Sequence, residues 1–167
     1  RAVTATFGTA DLAGSDILAH NVAAHRANAA GDEMIDLWQL PDWVLQLIER
    51  GCTGNKAGSG FYRDRRAMTI DPATLEYRPY QKPEQPSLVA AAAIADPAAR
   101  VKATISADDP AGRFAWEIVA GALLYAAHRV GEICDDITAI DDAMRWGYAW
   151  DLGPFEAWQA LGVKKTA

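Results

Sequence analysis

A chain of 167 residues with a formal charge of −6 has no basic stripe to replace counterions on a phosphate backbone, which excludes nucleic acid as a partner class. No run of about 18 apolar residues is free of charge, so no membrane span is predicted, and no signal or transit peptide is visible. Half of the residues are apolar, enough for one compact domain or two small units. Lys164 and Lys165 are too few to change the charge argument. Cys52 and Cys134 lack metal or redox spacing, so free thiols in a cytoplasmic protein are expected.

The sequence opens on Arg1 in mid-pattern and reads as an excerpt. Leu12, Ile17, Leu18 and Val22 recur at helical spacing and predict a helix over 9–29, started by Thr9 and Asp11. A short acidic piece follows at 32–37. Pro41 then opens a helix that Gly51 stops, with Trp43, Val44, Leu47 and Ile48 on its apolar face. The loop "GNKAGSGFY" (54–62) lacks the Gly-Lys-Ser/Thr ending of a phosphate loop and follows a helix rather than a strand. It is read as a glycine turn after a helix, anchored at its exit by Phe61 and Tyr62.

Alternation on both sides of "DPAT" predicts a β-hairpin or two extended arms, with Asp71-Pro72 as the turn. "KPEQP" (82–86) is expected to be an extended connector, because proline has no N–H to offer a helix interior or a central strand. Beyond it the chain is helical. Ser87 is expected to cap "LVAAAAIA", Asp96-Pro97 and Asp109-Pro110 to open the next two helices, and the second of these to run to about residue 134. Thr138 and Asp141 resemble a capping box, and the last helix starts at "GPFE" (153–156).

No complete active site emerges from the residues. His20 and His25 lie on different helix faces, and His128 and Glu132 lack a third ligand, so no metal is expected. "DDITAIDD" (135–142) has Ala139 where a prenyl-transfer magnesium motif needs a third aspartate. Ser59, Ser87 and Ser106 have no nucleophile-elbow context. Trp146, Trp150 and Trp158 are expected to fill a core or a subunit contact. A faint internal echo pairs Phe7 with Phe155 and Gly14 with Gly162.

Several stretches in order, "TFGTADLAGSDILAHN", "LPDWVLQLIERGCTGNKAGSGFY", "LEYRP", "SADDPAGRF", "LLYAAHRVGEICDDI" and "IDDAMRWGYAWDLGPFEAWQALG", resemble the C-terminal helical region of 3-hydroxyacyl-CoA dehydrogenases, most closely the long bacterial form, some of whose members also carry an enoyl-CoA hydratase region. The resemblance implies a mainly α fold of two diverged helical units: 1–66, truncated at its start; an extended or hairpin connector at 67–86; and 87–167. It implies motif residues of mainly structural role, Phe7, Asp11, Gly14 and Asp16 in the first copy and Gly153, Pro154, Phe155, Glu156 and Gly162 in the second. Gly58, Gly60 and Phe61 belong to the loop, where Ala57 stands in the family's threonine place. Asn55 and Lys56 are expected at the substrate cleft.

In such a family a Rossmann domain of the same polypeptide binds NAD and carries the catalytic His–Glu pair, while the helical region helps close the acyl-CoA cleft and makes a homodimer contact. No catalytic residue and no bound cofactor are therefore expected in this chain. The asparagine–arginine pair that reaches the active site would precede Arg1, and its counterpart here is His128-Arg129, with no catalytic role transferred. The resemblance implies NAD-dependent oxidation of 3-hydroxyacyl-CoA in fatty acid β-oxidation by the parent. The alternatives are a stand-alone helical interaction module, or an acyl-CoA-binding domain using Lys56 or Arg63 near a phosphate.

Overall fold

The computed structural model describes residues 5–163. Among these the chain is mainly helical, with eight helices and one small antiparallel sheet. It divides into two compact units, residues 5–82 and 83–163.

In the first unit the expected helix over 9–29 is two helices, α1 (Ala5–Ala13) and α2 (Ser15–Asn28). Gly14 separates them at φ 106°, a backbone conformation that side-chain-bearing residues avoid. Thr9 therefore does not start a helix; it lies inside α1, where its hydroxyl donates to the Ala5 carbonyl at 2.8 Å. After α2, Arg26 donates to the carbonyls of Ile35 (3.0 Å) and Trp38 (3.2 Å), folding the acidic piece back onto the helix. Pro41 stands one residue ahead of α3 (Asp42–Glu49), and Gly51 ends that helix at φ 76° as expected.

Strands β1 (Tyr62–Arg63), β2 (Met68–Ile70) and β3 (Tyr77–Pro79) form an antiparallel sheet in chain order, with Thr69 opposite both Tyr62 and Arg78. The hairpin turn is built on Asp71, whose carboxylate accepts from the Ala73 N–H at 2.9 Å. Val44, Leu47, Phe61 and Ile70 form the buried core, with Trp43, Cys52 and Tyr77 packed against it. The hairpin thus belongs to the first unit's core rather than to a free connector. Ile70 and Tyr77, facing each other across the strands, supply the apolar face that draws it there.

The second unit contains α4 (Pro86–Ala92), α5 (Pro97–Ile105), α6 (Pro110–His128), α7 (Ile137–Tyr148) and α8 (Pro154–Leu161). Helix α5 packs on α4, α6 and α8, and α7 packs on α8. The core residues are Ala91, Leu123, Ala126, Ile140 and Leu161. Four of the helices begin with proline, whose missing N–H costs nothing at that position.

Three expectations are corrected here. Ser87 is not the cap of α4, because Pro86 already occupies its first position; the Ser87 N–H instead donates to Asp109 at 3.2 Å. Helix α6 stops at His128, short of residue 134, because Gly131 at φ 82° turns the chain and donates to the Cys134 carbonyl. Helix α7 is capped by Asp136, which accepts from the Thr138 N–H at 2.8 Å, so Thr138 and Asp141 do not form a capping box. Among the described residues no helix is long and apolar enough to cross a membrane, and Lys164 and Lys165 lie outside them.

Candidate functional site

The segment 53–62 is clipped to the α1–α2 corner at three points. The Asp11 carboxylate, only 3 % exposed, accepts from the N–H groups of Phe61 (2.8 Å) and Tyr62 (2.9 Å) through its two oxygens. Ser15, fully buried, donates its N–H to the Thr53 carbonyl at 3.0 Å. On the surface, Lys56 Nζ pairs with Asp16 Oδ2 at 2.7 Å, and this contact holds the Asp16 carboxyl below the usual aspartate value. Phe7 closes the arrangement from α1, its ring 4.9 Å from that of Phe61.

Glycine is required at this corner by space as well as by backbone angle. A Cβ on Gly60 would strike the Asp11 carboxylate, and one on Gly54 would strike the Asp11 carbonyl. Gly58 adopts φ 75° and closes the short 3-10 turn at Asn55–Ala57. Tyr77 donates its hydroxyl to the Gly60 carbonyl at 2.6 Å, and burial pushes its ionisation up to about 12.

Next to this clip lies a hollow of about 390 Å³ lined by Asp11, Asn55, Gly58, Tyr62, Arg63, Asp64, Arg65 and Arg66. Asn55 thus faces a polar space, whereas Lys56 turns to Asp16. The two expected cleft residues part company there. Above the hollow, Asp64, Arg65 and Arg66 take φ values of 52°, 55° and 72°, three consecutive left-handed residues without a glycine.

The second unit uses a similar clip. Asp141, 6 % exposed, accepts from the N–H groups of Phe155 (2.7 Å) and Glu156 (3.1 Å) at the start of α8. Burial raises its ionisation, with the two N–H bonds pulling the other way. Glu156 reaches back to accept from the Gly153 N–H at 2.8 Å and pairs with Arg145 at 3.2 Å. A Cβ on Gly153 would strike Asp141, and Pro154 is buried beside it. Gly162 ends α8 at φ 93°, the counterpart of Gly14 after α1 in the internal echo.

Compared with known proteins, the chain is 43% identical, over 100% of its length, to a Bacillus subtilis protein named "Probable 3-hydroxyacyl-CoA dehydrogenase". The chain thus matches one region of a larger protein named as a 3-hydroxyacyl-CoA dehydrogenase. A Deinococcus radiodurans protein of the same name is 36% identical over 47% of the chain and 24% of its own length. A Rickettsia felis protein, named provisionally as a fatty acid oxidation complex trifunctional enzyme, is 28% identical over 92% of the chain. The chain spans about one fifth (21%) of the Bacillus and Rickettsia relatives. No family model and no solved structure matches it.

The remaining sequence candidates do not converge on one centre among the described residues. His25 stacks on Trp38 at 3.9 Å and lies 3.9 Å from Asp32. Among the described residues no group of three or more His, Cys, Asp or Glu is placed to hold a metal. In "DDITAIDD", Asp136 caps α7 and Asp141 clips α8, so these two carboxylates are spent on backbone N–H groups. Trp146 is 79 % exposed and fills no core, while Trp150 lines two apolar cavities of about 320 and 540 Å³ in the second unit.

Sequence reasoning missed the targets of Asp11 and Asp141, which it read as local helix-start residues. The available signal was their position: each sits among mostly apolar or small residues, in "FGTADLAG" and in "ITAIDDAM", where Asp142 is a second acid. A buried carboxylate there needs donors from elsewhere. It missed the left-handed arginine turn as well, which no glycine marks.

Proposed function

We propose that this chain is the substrate-cleft and dimerisation region of an NAD-dependent 3-hydroxyacyl-CoA dehydrogenase acting in cytoplasmic fatty acid oxidation, and that it does not turn over by itself. The observation that carries this reading is the 43% identity to a protein of that name across the whole chain, which is only 21% of that protein. In this reading the parent oxidises the 3-hydroxyl of an acyl-CoA to a ketone, with NAD as hydride acceptor. Among the described residues the strands form a small antiparallel sheet and none leads through a glycine-rich turn into a helix, which supports placing the dinucleotide outside this region. NAD is then held by the rest of the polypeptide. This chain contributes a rigid loop clipped by Asp11, with Asn55 at the edge of the cleft, and exposed aromatics such as Trp146 that suit a contact with a second copy.

The test compares the whole polypeptide with the 167-residue chain by NADH absorbance, using 3-hydroxybutyryl-CoA and longer 3-hydroxyacyl-CoA esters. Turnover by the whole and none by the chain is expected. Turnover by the chain alone, or an inert whole polypeptide across all chain lengths, would overturn the reading. Sedimentation of the whole polypeptide, with and without Trp146→Ser, checks the dimer.

A further inference from the structure

We propose that the hollow beneath the left-handed turn Asp64–Arg66 binds phosphate groups, and that its occupant is the phosphorylated adenosine end of a CoA ester. The choice of CoA rests on the dehydrogenase reading above; the phosphate site does not. Three observations meet there. Arg63, Arg65 and Arg66 all line one polar hollow of about 390 Å³, in a chain that carries six net negative charges. The arginines outnumber the acids that answer them. Asp11 spends both oxygens on the Phe61 and Tyr62 N–H groups, and Asp64 lies 3.6 Å from Arg63. Among the described residues neither Arg65 nor Arg66 has a carboxylate partner.

The third observation is backbone strain. Left-handed residues other than glycine cost about 1 kcal/mol each, and here three follow one another. The turn is closed by the Ala67 N–H donating to the Asp64 carbonyl at 3.0 Å. It places the arginines over a fixed floor: Arg63 lies 4.4 Å from the centre of the Tyr77 ring and Arg66 5.5 Å from that of Tyr62. Tyr77 is tied to Gly60, and the Tyr62 backbone to Asp11, so this floor is the clip itself. A guanidinium lying over an aromatic ring can still donate through its N–H edge, and phosphate oxygens match that fork in pairs. The Asn55 amide adds an uncharged donor at the rim.

The experiment titrates adenosine 3′,5′-bisphosphate into the whole polypeptide by calorimetry. Wild type should bind. Arg65→Asn, chosen because asparagine tolerates a left-handed backbone, and Arg66→Gln should each weaken binding about fivefold, as expected for a partly exposed charge pair. Arg65→Lys should restore most of the loss. Arg78→Gln removes the same charge outside the hollow, where Arg78 already faces Asp71 at 3.4 Å, and should leave affinity unchanged. Equal weakening by Arg78→Gln, or no response to the hollow variants, overturns the site. 5′-AMP and NAD distinguish the sources: binding as tight as the bisphosphate, lost in the same variants, would overturn CoA as occupant. If no CoA ester is turned over but bisphosphate binding still follows the arginines, the dehydrogenase reading falls and the phosphate site stands.

Discussion

Replacing Asp11 with alanine strips the acceptor from two backbone N–H groups, one buried on Phe61 and one half-buried on Tyr62. A hydrogen bond to a charged acceptor contributes about 1.5–3 kcal/mol, and a buried donor left unmade costs a similar amount. Taking the low end for each N–H, because Tyr62 borders the hollow, the loss is about 3 kcal/mol, a large share of a small unit's stability. Asp11→Asn keeps one carbonyl oxygen but turns an amide NH₂ toward a second donor, so about 2 kcal/mol should be lost. The readout is local: hydrogen exchange at the Phe61 and Tyr62 amides in the whole polypeptide. Protection at both should fall by about 100-fold in Asp11→Ala and about 30-fold in Asp11→Asn. Protection in α7 and α8, whose clip is Asp141, should not move. A fall of less than about fivefold in Asp11→Ala would refute the reasoning, since the two bonds would then contribute little beyond what water supplies.

Gly153→Ala should destabilise the second unit by about 1–3 kcal/mol in a denaturant titration; at φ −74° the cost is collision with Asp141 rather than backbone strain. Tyr77→Phe removes the bond to the Gly60 carbonyl and should cost about 1 kcal/mol. Spectrophotometric titration should show one tyrosine ionising near 12; its folded value lies above its ordinary 10.0, so its contribution is full below pH 10 and is lost as pH rises toward 12. Asp109, held below 3.8 chiefly by the Gly112 N–H, stabilises above that pH and loses its contribution as acid is added, so Asp109→Asn should flatten the acid limb of a stability profile. Asp141, raised by burial, has the opposite sign: its contribution is present below 3.8 and fades as pH rises through its folded value, so Asp141→Asn should steepen that limb.

The helices of the second unit were legible because their starts are written locally. An aspartate ahead of proline is kept out of the helical region and can cap the helix that the proline opens, as Asp96 and Asp109 do by accepting from the N–H groups of Ala99 and Gly112. The hairpin at Asp71 was readable for the same reason. What the sequence concealed depends on partners far along the chain. Asp11 finds its donors 50 and 51 residues away, and no local pattern encodes that distance. Gly14 could be seen as a motif residue, but not as a break between two helices, because alanines on both sides keep the helical period going. The left-handed turn at Arg65 was invisible, since sequence rules look for glycine at positive φ and find arginine.

Motifs rich in aspartate and glycine are easily taken for catalytic sites, and the two clips show why charge alone does not make one. Asp11 and Asp141 are the two buried aspartates of the described chain, and each has both oxygens committed to backbone N–H groups. A carboxylate so occupied and buried takes up a proton or a cation only by weakening the bonds that hold its loop or helix. The glycines beside them, Gly60 and Gly153, are needed because any Cβ would push the carboxylate off its donors. Chemistry toward a ligand has to come from groups with capacity left over. In the first unit those are the arginines of the strained turn and the Asn55 amide, around a hollow whose floor the clip makes rigid. The buried charges fix the architecture, and the strained, unanswered ones mark where a ligand would be met.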